Sequence, residues 1–189
     1  MNLTNHAYFN LKGEGDVSDT RVLMFAGRYT PSGAGSLPTG EIRSVTGSPY
    51  DFTTEKSLGE ALAELATAAQ PSGAPPRHPR GYDTNMVING SPGTLRIAAR
   101  FTEPVSGRVL EVWTTQPGFQ FFTPGAPRDL NFLQRGFGAR PAFCAETEHY
   151  PDSPNQPQFP STEITPTHPL HETTVYRFGI DAGATDSGQ

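Results

Sequence analysis

The chain has 189 residues, enough for a packed core, although only 34% are hydrophobic and 20 glycines with 19 prolines cut it into short pieces. Its formal net charge is −5, and with no basic stripe to track a phosphate backbone this excludes a nucleic-acid-binding surface. No apolar run approaches the roughly 18 residues of a membrane-spanning helix, so a membrane partner is not expected either.

In chain order, the first notable group is Asn5-His6, ahead of Tyr8 and Phe9. Taken alone, His6 reads as an ordinary loop histidine. Val22–Tyr29 is apolar and aromatic and predicts one strand. Pro31–Ser36 is glycine-rich, but it lacks the Lys-Ser/Thr ending and the strand–loop–helix setting of a phosphate loop. Ser57-Leu-Gly-Glu60 is a capping box, in which the serine side chain accepts from an orphan N–H and the glutamate reaches back. Leu58, Ala61, Leu62, Leu65, Ala66 and Ala69 then recur at helical spacing, which predicts a surface helix ended by Pro71. A long loop over Gln70–Arg80 holds the densest basic spot, Arg77-His78-Pro79-Arg80.

Asp83, just after Gly81-Tyr82, reads by itself as a turn residue bonding its own backbone. Met86–Ile88 is a short strand. Thr94–Phe101 alternates, placing Leu95, Ile97, Ala99 and Phe101 on one face. Glu103–Gly107 predicts a hairpin connection into a strand over Arg108–Thr115, which ends at Pro117-Gly118. Gln120 lies in Phe119–Phe122 as a plain polar strand residue. Glu146 and Glu148 flank Thr147, so a strand here projects both carboxylates to one side, an arrangement open to acid–base work. Thr173–Phe178 is the last strand, and Asp181–Gln189 is a small, polar tail expected to fray.

There is one cysteine, Cys144, which excludes an internal disulfide and suits a reducing compartment; alone it reads as a small buried hydrophobe. With no secretory leader pattern at the start, the expected location is cytoplasmic. The five histidines show no His-x-x-x-His spacing and no cysteine pairing, so no metal is expected. Short strands between many turns point to an all-β fold.

Four ordered segments carry more than composition: Asn2–Leu11 (NLTNHAYFNL), Gly81–Asn85 (GYDTN), Leu110–Thr123 (LEVWTTQPGFQFFT) and Cys144–Asp152 (CAETEHYPD). Tyr29-Thr-Pro, Leu37–Ile42, Val45–Phe52, Pro104–Arg108 and Asn155–Ser161 lie among and beyond them. Together they resemble the aldose 1-epimerase (galactose mutarotase) family. The resemblance implies an antiparallel β-sandwich (the mutarotase supersandwich) as one domain over residues 1–180, with one short surface helix and a flexible tail over 181–189. It implies exchange of the α and β anomers of a free hexose such as galactose or glucose, without a cofactor. Ring opening needs one group to take the C1 hydroxyl proton and another to protonate the ring oxygen. By resemblance Glu146 is the general base, His6 the general acid, and Asp83 and Gln120 bind sugar hydroxyls.

The resemblance covers about the C-terminal portion of family members. The front portion that supplies further strands, an arginine and a second histidine has no counterpart here, and Thr84 stands where the family commonly has histidine. A sandwich of this kind leaves sheet edges and apolar faces open; a homodimer or another polypeptide as cover is favoured over closure of the remaining strands into a smaller sandwich. The competing expectation is a non-catalytic carbohydrate-binding or interaction module derived from a mutarotase. A sugar-phosphate epimerase is disfavoured, because no arginine cluster for phosphate is present.

Overall fold

In the computed structural model, residues 1–68, 81–124 and 140–181 are described. The Gln70–Arg80 loop, Ala69 of the predicted helix and residues 182–189 of the tail lie outside them. Among the described residues, ten strands pair antiparallel in two five-stranded sheets. One sheet has the order β10 (Thr174–Ile180), β7 (Arg108–Thr114), β6 (Arg96–Thr102), β1 (Arg21–Met24), β4 (Lys56–Ser57). The other has the order β3 (Arg43–Ser44), β2 (Arg28–Thr30), β5 (Asp83–Val87), β8 (Gly118–Phe122), β9 (Cys144–Glu148). The all-β expectation holds. No helix among the described residues is long and apolar enough to cross a membrane.

The core lies between the two sheets. Met24, Phe101, Leu110 and Val112 of the first sheet share one buried cluster with Met86, Phe119, Phe121 and Ala145 of the second. Phe101 stacks on Phe143 with centroids 4.2 Å apart and lies 6.1 Å from Phe121, so aromatic rings bridge the layers. Buried phenylalanines of this kind are each worth about 3–5 kcal/mol against alanine.

Two strand readings change. Val22–Tyr29 is not one strand: β1 and β2 belong to different sheets. Between them Phe25 N–H donates to the Ala98 carbonyl, and Gly27 N–H donates to Asn89 Oδ1 at 3.0 Å. Partners across the molecule, not local hydropathy, turn the chain from one layer to the next. In β6 the regular alternation fails, because the register shifts between Ile97 and Ala99. This bulge buries Ala98 and Ala99 together and leaves Leu95 exposed.

The helix α1 (Leu58–Thr67) carries both halves of its capping box: Glu60 N–H donates to Ser57 Oγ, and Ser57 N–H donates to Glu60 Oε2 at 3.0 Å. Leu58, Ala61 and Leu62 are buried, but Ala66 is exposed, so the apolar stripe is narrower than its spacing predicted. The β6–β7 hairpin forms where expected, its turn tied by the Glu103 carboxylate, which accepts from the Val105 and Ser106 N–H groups at 3.1 and 2.6 Å. Entry to β5 is tight. A Cβ on Gly81 would stand 2.1 Å from the Thr123 carbonyl oxygen, a position no side chain can take.

Candidate active site

Register in the second sheet decides which side chains meet. Asn85, Gln120 and Glu146 are direct partners across β5, β8 and β9, and Asp83, Phe122 and Cys144 form the adjoining row. Directly opposed residues share a face, so these six point away from the other sheet. The alternate residues Met86, Phe119, Phe121 and Ala145 point into the core. Asp83 is therefore a strand residue, not the turn residue its local sequence suggested. Gln120 Nε2 donates to Asp83 Oδ1 at 2.6 Å, joining the two rows diagonally. Gln120 Oε1 is buried and has no hydrogen-bond partner among the described residues. Thr84 projects inward opposite Phe121 and is buried. Its departure from the family's usual histidine thus lies on the core side of the sheet, away from Asp83.

His6 reaches this face because the first residues run antiparallel beside β9. At one end Asn2 Nδ2 donates to the His149 carbonyl at 2.8 Å, and His149 N–H donates to Asn2 Oδ1 at 3.0 Å. At the other end Phe9 and Phe143 exchange two backbone hydrogen bonds, of 2.8 and 3.0 Å. Between these anchors position 6 falls beside position 146. The imidazole Nε2 lies 3.5 Å from Glu146 Oε1. The ring stacks on Tyr8, with centroids 5.1 Å apart, and meets Phe122 edge-on at 6.0 Å. Its side chain is 53% exposed, whereas that of Glu146 is 9% exposed.

Burial sets the electrostatics. It raises the Glu146 carboxyl above its ordinary value; the neighbouring His6 works against that rise and the Asp83 carboxylate adds to it. Burial, with Glu146 alongside, pushes Glu148 up to about 7. Burial also pushes the Cys144 thiol up to about 12, again helped by Glu146. Tyr8 is raised by burial and by Cys144 and Glu146. The site thus gathers acidic groups around the partially exposed His6 imidazole.

All four residues singled out from sequence, His6, Asp83, Gln120 and Glu146, come to this one face. His6 and Glu146 touch directly, so any ligand entering between them must displace the exposed ring. Sequence reasoning missed the rest of the setting. Cys144 shares the outward face with Glu146, and Tyr8 and Phe122 wall the imidazole. Only the Cys144-Ala-Glu-Thr-Glu148 alternation hinted at the first. Among the described residues the other histidines lie elsewhere: His149, His168 and His171 line a separate cavity of about 250 Å³ with Glu172.

The family model described as Aldose 1-epimerase matches residues 1–177. The chain belongs to that family. It is 37% identical to the galactose mutarotase of Bos taurus, the match covering 95% of this chain and 50% of that protein. It is 30% identical to the aldose 1-epimerase of Escherichia coli K12, covering 94% of this chain and 50% of the other. The chain spans about half the length of these relatives. Among solved structures, the GalM/aldose epimerase homologue from C. elegans superposes with a TM-score of 0.73 at 26% identity, over 95% of this chain and 51% of that one. A galactose 1-epimerase from Lactobacillus acidophilus NCFM shares the fold at a TM-score of 0.65 and 21% identity. The mutarotase-like architecture expected from the sequence is thereby shown.

Proposed function

We propose that this aldose 1-epimerase family member interconverts the α and β anomers of a free hexose of the galactose or glucose class, with Glu146 as general base and His6 as general acid. The observation that carries the reading is the 3.5 Å pairing of His6 with Glu146 on the face that also presents the Gln120–Asp83 hydrogen bond. The Glu146 carboxylate takes the C1 hydroxyl proton while the His6 imidazolium protonates the ring oxygen. The C1–O5 bond breaks and leaves an aldehyde with a free C5 hydroxyl. After rotation about C1–C2, His6 recovers the C5 hydroxyl proton as the oxygen attacks C1. Glu146 returns its proton to the carbonyl oxygen. No atom is gained or lost, so the reaction needs no cofactor.

Asp83 and Gln120 orient the sugar through directional hydrogen bonds. The unpartnered Gln120 Oε1 supports this role, since a buried acceptor gains most from a ligand hydroxyl. A general base contributes about 10²–10⁴-fold, so Glu146→Gln is expected to remove at least a hundredfold of the activity. Polarimetry on freshly dissolved α-galactose and α-glucose tests this. If wild type and variant both follow the buffer blank, the enzyme reading fails and the sugar-binding module takes its place.

The same reading takes the protein as cytoplasmic, in keeping with its single free, buried cysteine, and as a homodimer. Phe178 and Ile180, 65% and 69% exposed on the edge strand β10, support a covered edge. Light scattering that returns the monomer mass would remove the dimer.

A further inference from the structure

We infer that His6, Cys144 and Glu146 together form a binding site for a thiophilic divalent cation, Zn2+ foremost, whose occupancy excludes the sugar. Exclusion of the sugar rests on the function proposed above; the binding of the cation does not.

The three side chains offer one nitrogen, one sulfur and one oxygen atom, all within 4.8 Å of one another. Two ligands held about 2.0–2.1 Å from a tetrahedral zinc stand roughly 3.4 Å apart. His6 Nε2 and Glu146 Oε1 are already 3.5 Å apart. Zinc–sulfur bonds near 2.3 Å call for about 3.6 Å between the sulfur and either other donor, so from a mutual spread within 4.8 Å a closing movement of up to about 1 Å suffices. The half-exposed imidazole is the ligand with most room to move. Cys144 and Glu146 are fixed two residues apart on one face of β9, held by its pairing with β8. The site is thus a rigid pair of ligands with one adjustable cap, leaving a fourth position for water.

Donor chemistry selects the ion. Calcium and magnesium require oxygen ligands, whereas a thiolate with an imidazole suits zinc and its neighbours. Charge points the same way. A thiolate and a carboxylate balance a divalent cation, and Asp83, Glu148, Tyr8 and Tyr176 are the other titratable groups coupled to this pair. None of those four brings positive charge. Binding replaces the thiol proton with the metal. It also occupies the Nε2 lone pair of His6 and an oxygen of Glu146, the atoms the proton transfers need.

Cobalt(II) titration under reducing conditions tests binding without reference to activity. A near-ultraviolet thiolate-to-cobalt charge-transfer band is expected, and the chain's only cysteine makes that band diagnostic of Cys144. Zn2+ should displace it, and both Cys144→Ser and His6→Ala should abolish it. In polarimetry Zn2+ should inhibit and chelator should restore the rate. Cys144→Ala, measured against its own metal-free rate, should need at least tenfold more Zn2+ for half-inhibition. Circular dichroism of each variant separates lost ligation from lost folding, and agreement of the serine and alanine variants guards against either misfolding. No band in folded wild type overturns the site. A band with no measurable epimerase activity keeps the site and removes the proposed function. Zn2+ inhibition equal in wild type and Cys144→Ala overturns the exclusion of sugar by this triad.

Discussion

Glu148→Gln probes the charge crowding of the site without touching the residues assigned to proton transfer. Glu148 ends β9 opposite Gly118, which offers it no side chain, and it forms no ion pair among the described residues. Burial and Glu146 raise its carboxyl from an ordinary 4.5 to about 7. A carboxyl raised in the folded state holds its proton there after the unfolded chain has released its own. Folding stability therefore falls as pH climbs from the unfolded to the folded value, and the penalty is complete above about 7. At 1.36 kcal/mol per unit the ceiling is roughly 3 kcal/mol. Solvent screening at a partly exposed group reduces this to about 1–2 kcal/mol. Glutamine has the same shape and no charge to bury. With chelator present, Glu148→Gln should match wild type in thermal denaturation at pH 4. At pH 8.5 it should unfold about 2–8 °C higher, using the roughly 2–4 °C per kcal/mol typical of this chain length. An equal shift at both pH values would mean that packing, not charge, distinguishes the variant. No shift at either would show that Glu148 ionises as an ordinary surface carboxylate.

The pH–rate profile of anomer exchange, with the buffer rate subtracted, should fall on the acid side as Glu146 protonates. Because burial raises that group, the midpoint should lie above the usual glutamate value of about 4.3; a midpoint at or below it would detach the acid limb from Glu146. Gly118→Ala should destabilise by about 1–3 kcal/mol, because the added Cβ would stand 2.7 Å from Asn85 Oδ1 and 2.9 Å from the Met86 carbonyl. Thermal unfolding at the wild-type temperature would refute that packing argument.

Local signals were legible where local partners make the structure. The Ser57/Glu60 capping box and the Glu103 hairpin involve atoms within three residues of each other, so short-range spacing suffices to read them. The split of Val22–Tyr29 between sheets could not be read in this way. Its cause is the pairing of Arg21–Met24 with β6 and of Arg28–Thr30 with β5, and both partners lie far along the chain. The β6 bulge is equally hidden, because Ile97-Ala-Ala99 is a run of apolar residues whose register β7 decides. The candidate site residues were singled out through family resemblance, not spacing. Asp83, Gln120 and Glu146 are separated by 37 residues in the first gap and share a face only once β5, β8 and β9 are laid side by side.

That division bears on how the site works. Period-2 alternation makes one sheet serve two purposes: Phe119, Phe121 and Ala145 seal the core while Gln120, Phe122 and Glu146 face outward. A strand whose opposite face is locked in aromatic stacking cannot shift without disturbing the core, so the backbone positions of Glu146, Asp83 and Gln120 are fixed. His6 is held differently. Two anchors, Asn2 with His149 and Phe9 with Phe143, fix the course of its segment, while the ring itself rests on Tyr8 and Phe122 and against the Glu146 carboxylate. The proposed anomer exchange uses this asymmetry: His6, as the acid, parts from Glu146 to admit the hemiacetal and then approaches the ring oxygen, whereas Glu146, as the base, stays where C1 arrives. The same asymmetry, a fixed thiol–carboxylate pair under a movable imidazole, is what makes the site adjustable to a metal ion.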